Sequence, residues 1–191
     1  QREKTRPDWT DIFMDIGASN RAKVEELGVK IGDRIVWNTP VRKMGDYAYG
    51  KAMDDRVGLA IMDRLLEVLD RDHLAYDLMF VATVQEEIGL IGAESAATES
   101  GCEMAIALDI GLTSDVPGVD SRDLSVRLGG GPTIVHKDLS HYNRQFTLKL
   151  IHTAHNAGIP IQPAVFGVYG SDSSAFTRHG LKSAVIAVPT R

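Results

Sequence analysis

The chain has 191 residues, of which 43% are hydrophobic and 25% charged, a composition typical of a soluble globular protein with one sizeable core. A formal net charge of -5, without a concentrated basic patch, argues against nucleic acid or an anionic membrane surface as a partner. The sequence has no apolar run that could span a bilayer and only one cysteine, Cys102, so we expect a cytoplasmic protein.

Residues 1–46 predict a small accessory module that precedes the main layer. Their hydrophobic pattern indicates a strand over residues 12–17 and a second strand over residues 29–37. Between these strands, Ser19 is the predicted N-cap of a helix that runs to Leu27 and ends at Gly28. We therefore expect this part of the chain to be β-rich.

Residues 47–191 alternate predicted helices with short apolar strands. Strands are predicted over residues 78–84, 104–109, 163–168 and 183–188. Helices are predicted to begin near residues 56, 90, 144 and 171, the third of them ending at Asn156. This alternation is typical of an α/β fold in which a sheet lies between two layers of helices, a three-layer α/β/α sheet.

Carboxylates follow several of the predicted strands at their C-terminal ends. Glu86 and Glu87 come directly after residues 78–84, Asp109 ends the next strand, and Asp172 follows a third. Loops at the carboxyl edge of an open α/β sheet aim side chains into one crevice, so we expect these acids to lie close together. Crowded carboxylates repel one another, and this repulsion favours a bound cation.

This set of acids predicts a site for one divalent metal ion, or for two. A pair of metals about 3.5–4 Å apart needs a carboxylate that binds both ions, and Asp54 is the candidate for this bridge. Glu87 and Asp109 would each hold one ion, and histidines would complete the two shells if the ions are zinc or cobalt. Glu86 would act as general base, taking a proton from the attacking water and returning it to a leaving amine.

Four motifs in this order resemble the co-catalytic metal aminopeptidases of the glutamyl aminopeptidase and tetrahedral aminopeptidase type. They are Lys-Ala-Met-Asp-Asp-Arg at 51–56, Gln-Glu-Glu-Ile-Gly at 85–89, Ala-Leu-Asp at 107–109 and Val-Pro-Thr-Arg at 188–191. The resemblance covers nearly the whole chain. Four motifs in the family's order are far more specific than any one of them.

The resemblance implies an aminopeptidase with two zinc or cobalt ions and peptide substrates. It implies that Asp54 is the bridging ligand, followed by Asp55 through a cis peptide bond, that Glu86 is the general base, and that Glu87 and Asp109 are terminal ligands. Residues 1–46 would be the C-terminal part of an inserted, PDZ-like dimerisation domain, and residues 47–191 the catalytic domain. Relatives of this type assemble into homo-oligomers, dodecamers among them.

The sequence also departs from the family pattern. The family takes one histidine ligand from before the inserted domain and another from just after the Pro-Thr-Arg motif, and neither position falls within these residues. Tyr-Gly-Ser-Asp at 169–172 stands where the family commonly has Gly-Gly-Thr-Asp. The six histidines of the chain are expected to have structural or solvated roles; they are His73, His136, His141, His152, His155 and His179.

Two alternative functions are compatible with the same residues. A glycosidase of the endoglucanase type also uses paired acids, but its two carboxylates must flank the sugar bond, which the adjacent Glu86 and Glu87 do poorly. The other alternative is a metal-poor chain that folds, assembles and binds peptides without cutting them.

Overall fold

The structure is a computed structural model, and it describes residues 8–167 and 169–191. The chain divides into two units, one ending at Pro40 and the other beginning at Val41. In the first unit the regular elements are a 3-10 turn, Trp9–Asp11, and a helix α1, Arg21–Glu26. The side chain of Asn20 caps α1 by accepting a hydrogen bond from the backbone N–H of Lys23 at 3.1 Å.

The two strands predicted for the first unit are wrong. Residues 12–17 and 29–37 form no strand, although the helix between them is confirmed, with Asn20 instead of Ser19 as its N-cap. An alternating pattern makes a stable strand only when a neighbouring strand accepts its hydrogen bonds, and residues 8–40 offer none. Large apolar side chains therefore remain on the surface, Phe13 at 86% and Trp37 at 81% exposure.

The second unit begins with an antiparallel hairpin of strands β1, Arg42–Met44, and β2, Tyr47–Tyr49. Helix α2, Met53–Val68, and helix α3, Ile91–Glu99, follow, with 3-10 turns at Arg71–His73 and Glu86–Ile88 between them. The hairpin crosses the predicted boundary between residues 46 and 47. The assignment of residues 1–46 to an inserted, PDZ-like dimerisation domain and of 47–191 to the catalytic domain stays a prediction.

A four-stranded mixed sheet forms the centre of the second unit. Its strands are β3, Met104–Leu112, β4, Thr133–Lys137, β5, Gln162–Val165, and β6, Lys182–Thr190. Their order in the sheet is β3-β6-β4-β5, with β6 parallel to β3 and antiparallel to β4, and β5 parallel to β4. The register places Asp109 of β3 beside Ala187 of β6, which in turn lies beside Thr133 of β4.

Two further helices, α4 (Arg144–Asn156) and α5 (Ser173–Arg178), complete this unit. Helix α2 packs on β3, α4 on β4 and β6, and α5 on β6 and β3. The bounds of α4 are those predicted, and the side chain of Asn143 caps it by accepting from the N–H of Phe146 at 2.9 Å. The hydrophobic core lies at the sheet and is formed by Ala107, Val126, Val135, Tyr142, Ala164, Phe166, Val185 and Ala187. The predicted α/β fold class is confirmed.

Two strand predictions in this unit are corrected by the structure. Residues 78–84 are not a strand, because no other described strand pairs with them, and Val84 is 64% exposed. Strand β5 ends at Val165, and it runs antiparallel to β6 and β3. Strand β5 itself therefore does not end where β3 ends, but Asp172, which follows it, still lies close enough to Glu86 to raise the pKa of that carboxyl group, as expected for acids that lie close together.

No helix within residues 8–167 and 169–191 has the length and apolar character needed to cross a membrane.

Candidate active site

The first acidic pair lies where α2 begins. Asp54 and Asp55 have non-helical backbone angles and are joined by a cis peptide bond, which confirms the predicted cis geometry. The Asp55 side chain turns back to its own helix, where its Oδ1 accepts from the N–H of Gly58 at 2.9 Å. A Cβ at Gly58 would lie 2.3 Å from Asp55 Oδ2, so glycine is required for this contact. Asp55 thus closes the first turn of the helix, while Asp54 faces a pocket.

The second acidic pair, Glu86 and Glu87, lies on the 3-10 turn Glu86–Ile88. Gln85, directly before this turn, has a left-handed backbone with φ of 59°. Two backbone hydrogen bonds connect the turn to the start of α3. The N–H of Gly92 donates to the carbonyl of Val84 at 2.9 Å, and the N–H of Leu90 donates to the carbonyl of Glu86 at 3.0 Å. Backbone hydrogen bonds therefore hold both glutamates in place.

Substitution of Gly92 by Ala is expected to displace this turn. A Cβ at Gly92 would lie 2.5 Å from the backbone N of Val84 and 2.7 Å from its carbonyl oxygen, and backbone atoms cannot give way as a flexible side chain can. We expect the free energy of unfolding, measured by urea denaturation, to fall by about 1–3 kcal/mol.

Gly167→Ala is the matched control for this substitution. Gly167 has no atom within 4 Å of an added Cβ and no positive φ, so the same chemical change should leave stability within about 0.5 kcal/mol. Equal losses in the two variants would show that the close approach of Gly92 to Val84 does not support the turn.

Asp109 lies close to the end of β3 and is 9% exposed. Its Oδ1 accepts from the backbone N–H of Ile110 at 2.7 Å. The Tyr169 hydroxyl, from the loop after β5, donates to the carbonyl of Ile110, and the Tyr169 ring packs on that of Phe166 with centroids 4.9 Å apart. The long side chain of Tyr169 thus reaches the end of β3 although β5 runs in the opposite direction.

One pocket of about 310 Å³ brings the predicted site residues together. Asp54, Glu86, Glu87 and Asp109 all line it. The remaining lining comes from Ile110, Leu112, Tyr169 and Gly170. Sequence reasoning therefore selected all four acids of this pocket, and their individual roles stay predictions.

Two carboxyl groups of this site, those of Glu86 and Asp109, have raised pKa values. The pKa of Glu86 is raised to about 7, first because the side chain is partly removed from water and then because Asp172 and Glu87 repel its charge. Removal from water is also the main reason that the pKa of Asp109 is raised to about 8, and Asp55 and Glu86 add repulsion. Such mutual repulsion would be relieved by a bound cation.

The donor chemistry of the pocket fits divalent metal ions, because four carboxylates share one small volume and the pKa values of two of them, Glu86 and Asp109, are raised. In the part of the chain that the structure describes, no three histidine, cysteine or acidic side chains are grouped closely enough to hold an ion as they stand. A complete set of ligands around a metal ion therefore requires movement of these side chains or additional ligands. None of the six histidines, all of them described, lines the pocket.

Two contacts of the site were missed by sequence reasoning. The hydroxyl of Thr83 donates to Oδ2 of Asp172, and Asp172 is one of the charges that raise the pKa of Glu86. Burial in turn raises the pKa of Asp172 itself. The second contact joins Tyr169 to Ile110; in the sequence Tyr169 stands out only within the departure from the family motif at 169–172, and the structure shows that it lines the pocket. No sequence signal predicts either contact, because each one joins elements far apart in the chain.

Comparison with known proteins identifies the family. The profile of the M42 glutamyl aminopeptidase family matches residues 1–191. The chain belongs to this family. A curated relative, the putative aminopeptidase FrvX of Escherichia coli, is 32% identical over 196 residues, which cover 100% of this chain and 54% of the relative.

Two solved peptidase structures have the same fold as this family member. The aminopeptidase APDkam598 from the archaeon Desulfurococcus kamchatkensis superposes with a TM-score of 0.92 at 33% identity, covering 100% of this chain and 54% of that one. The TET1 peptidase of Pyrococcus horikoshii, described as able to assemble into a tetrahedron or a large octahedral shell, gives a TM-score of 0.84 at 31% identity over 99% of this chain and 56% of that one. The chain thus spans about half the length of the relatives that it matches.

Proposed function

We propose that this chain carries the acidic half of a two-metal aminopeptidase site and takes part in removing N-terminal residues from peptides. The observation that supports this proposal is the shared pocket of Asp54, Glu86, Glu87 and Asp109 in a chain of the M42 family. A carboxylate-rich pocket also favours the free ammonium group of a peptide N-terminus. Acetylated peptides, which lack this charge, would bind poorly.

The proposal gives each acid a distinct task. Asp54 would bind both ions, and Glu87 and Asp109 would each hold one, with zinc and cobalt as the candidate metals. The bound ions would polarise the scissile carbonyl. Glu86 would accept a proton from the attacking water and deliver it to the leaving amine.

We further propose that the protein works as a cytoplasmic homo-oligomer. The TET1 relative assembles into closed shells, and the first unit of this chain exposes large apolar side chains such as Phe13 and Trp37. Apolar patches of this kind mark protein interaction surfaces. Residues 1–46 are the proposed dimerisation segment, and peptides are the proposed substrates.

The decisive experiment measures release of p-nitroaniline from amino-acid p-nitroanilides by the purified protein loaded with Zn²⁺ or Co²⁺. We expect hydrolysis that disappears on treatment with a chelator, returns on addition of metal, and is absent for the N-acetylated form of the same substrate. Glucan cleavage that survives the chelator would overturn the proposal in favour of a glycosidase. Peptide binding without metal uptake or turnover would overturn it in favour of a non-catalytic chain.

A further inference from the structure

We infer that Thr83 and Asp172 form a positioning pair, which holds the turn that carries Glu86 in place beside strand β3. The inference deepens the proposed function and rests on it, because Glu86 is the general base of that proposal. Neither member of the pair lines the pocket, so both act through Glu86 and not on the metal ions or the substrate.

The hydrogen bonds of the segment that carries Glu86 are almost all local. In the part of the chain that the structure describes, the backbone hydrogen bonds of residues 78–90 join only residues between 84 and 94. One side-chain hydrogen bond leaves this stretch, since the hydroxyl of Thr83 donates to Oδ2 of Asp172 at 2.5 Å. Thr83 precedes Glu86 by three residues. The hydrogen bond from Thr83 is therefore the one that aligns the Glu86 turn with a distant part of the fold.

The carboxyl group of Asp172 depends on Thr83 in turn. Its Oδ2 accepts from the Thr83 hydroxyl, and its Oδ1 is buried without a hydrogen-bond partner among the described residues. A buried carboxyl group that lacks a donor is costly, so the bond from Thr83 should persist in solution. The two side chains thus orient each other.

The residue after Asp172 anchors the pair to the sheet. Ser173 is fully buried, and its Oγ accepts from the N–H of Ala107 on β3 at 3.2 Å and donates to the carbonyl of Ala184 on β6 at 2.6 Å. Ala107 lies two residues before Asp109, which lines the pocket. Asp172 is therefore held next to the strand that carries Asp109.

The pair thus connects two walls of the pocket, the glutamate turn and β3. Proton transfer requires the carboxyl group of Glu86 to lie within hydrogen-bond reach of the attacking water. A displacement of about 1 Å is enough to lower the rate of such a step by about 100-fold. Loss of the Thr83 hydroxyl should therefore slow the chemical step without removing any ligand or substrate contact.

The test begins with Thr83→Val, which removes the hydroxyl and keeps the branched shape of the side chain. Hydrolysis of an amino-acid p-nitroanilide is measured with the purified protein at saturating Co²⁺. We expect kcat to fall about 10–100-fold, with KM changed by about twofold or less and the metal-to-protein ratio unchanged. Thr83→Ser retains the hydroxyl and should keep kcat within about threefold of the unmodified protein.

Thr153→Val is the matched control. Thr153 lies on the exposed side of α4, where its hydroxyl donates to the carbonyl of Lys149 at 2.8 Å. The same chemical change is made there outside the pocket, so kcat and KM should stay as they are.

A double variant tests whether the pair acts through Glu86. In Glu86→Gln the group to be positioned is already lost, so adding Thr83→Val should lower the residual kcat by about twofold or less. A further loss as large as that of Thr83→Val alone would show that Thr83 acts by another route, and would overturn the inference.

Hydrogen exchange measured by mass spectrometry provides a second test that requires neither metal nor turnover. In the metal-free protein, Thr83→Val should speed exchange in the peptide that covers residues 84–92 by about tenfold, because the turn loses its contact with Asp172. Exchange in α4 should not change, and Thr83→Ser should resemble the unmodified protein. Exchange at 84–92 that is unaffected by Thr83→Val would overturn the inference.

The kinetic results separate the inference from the proposed function. Unchanged kcat in Thr83→Val, an equal loss of kcat in Thr83→Ser, or a loss of bound metal in Thr83→Val would each overturn the inference while leaving the aminopeptidase proposal intact. An unmodified protein without metal-dependent hydrolysis would overturn the proposed function, and the catalytic role of the pair with it.

Discussion

Replacing Glu86 by Gln is expected to reduce peptide hydrolysis by about 10²–10⁴-fold, because the amide can neither accept a proton from the attacking water nor return it to the leaving amine. Metal content should stay nearly unchanged, since Glu86 is proposed to lie beside the ligands and not among them. The measurement is kcat/KM for a p-nitroanilide together with the metal-to-protein ratio by mass spectrometry.

Glu67→Gln provides the matched control for this variant. Glu67 lies on the exposed side of α2, where it pairs with Arg64 at 2.6 Å, and it does not line the pocket. The control should therefore retain both activity and metal. Loss of metal from Glu86→Gln would place Glu86 among the metal ligands, and unaffected turnover would remove it from the chemistry.

Asp138→Ala is expected to produce the largest loss of stability among the described acidic residues outside the pocket. Asp138 is fully buried, and it accepts hydrogen bonds from the hydroxyl of Tyr142 and from the N–H of Ser140, the latter at 2.7 Å. Tyr142 is itself buried and contacts the Ser171 hydroxyl at 3.0 Å. Alanine would leave the Tyr142 hydroxyl without its main acceptor in a dry interior, which should lower the free energy of unfolding by about 2–3 kcal/mol.

The Asp138→Ala substitution should also disturb the acidic pocket, because Ser171, which contacts Tyr142, belongs to the loop that carries Tyr169 and Asp172. Urea denaturation gives the change in stability, and Asp120→Ala is its control. Asp120 has the same side chain in an exposed pair with Arg122, so its removal should change stability by about 0.5 kcal/mol or less. Similar values for the two variants would mean that the buried cluster around Asp138 contributes nothing to folding.

The helices could be predicted from the sequence because their signals are local. Helix α4 follows from its 3.6-residue period, from Asn143 before it and from the glycine that comes two residues after Asn156. The cis peptide bond between Asp54 and Asp55 was anticipated from the resemblance of their motif to the aminopeptidase family, and the structure confirms it. Strands depend on a partner elsewhere in the chain, so residues 12–17, 29–37 and 78–84 have the right pattern but form no strand.

The sequence by itself determined which acids belong to the candidate site, because Glu86, Glu87 and Asp109 follow short apolar segments and Asp54 begins a helix. Only the tertiary structure decided what surrounds them. Strand β5 runs opposite to β3, and the side chain of Tyr169, in the loop after β5, contacts the carbonyl of Ile110 on β3. Thr83 contacts Asp172, which lies 89 positions later in the sequence. Contacts of this kind depend on how strands pair and in which direction they run, and neither property is encoded in the spacing of neighbouring residues.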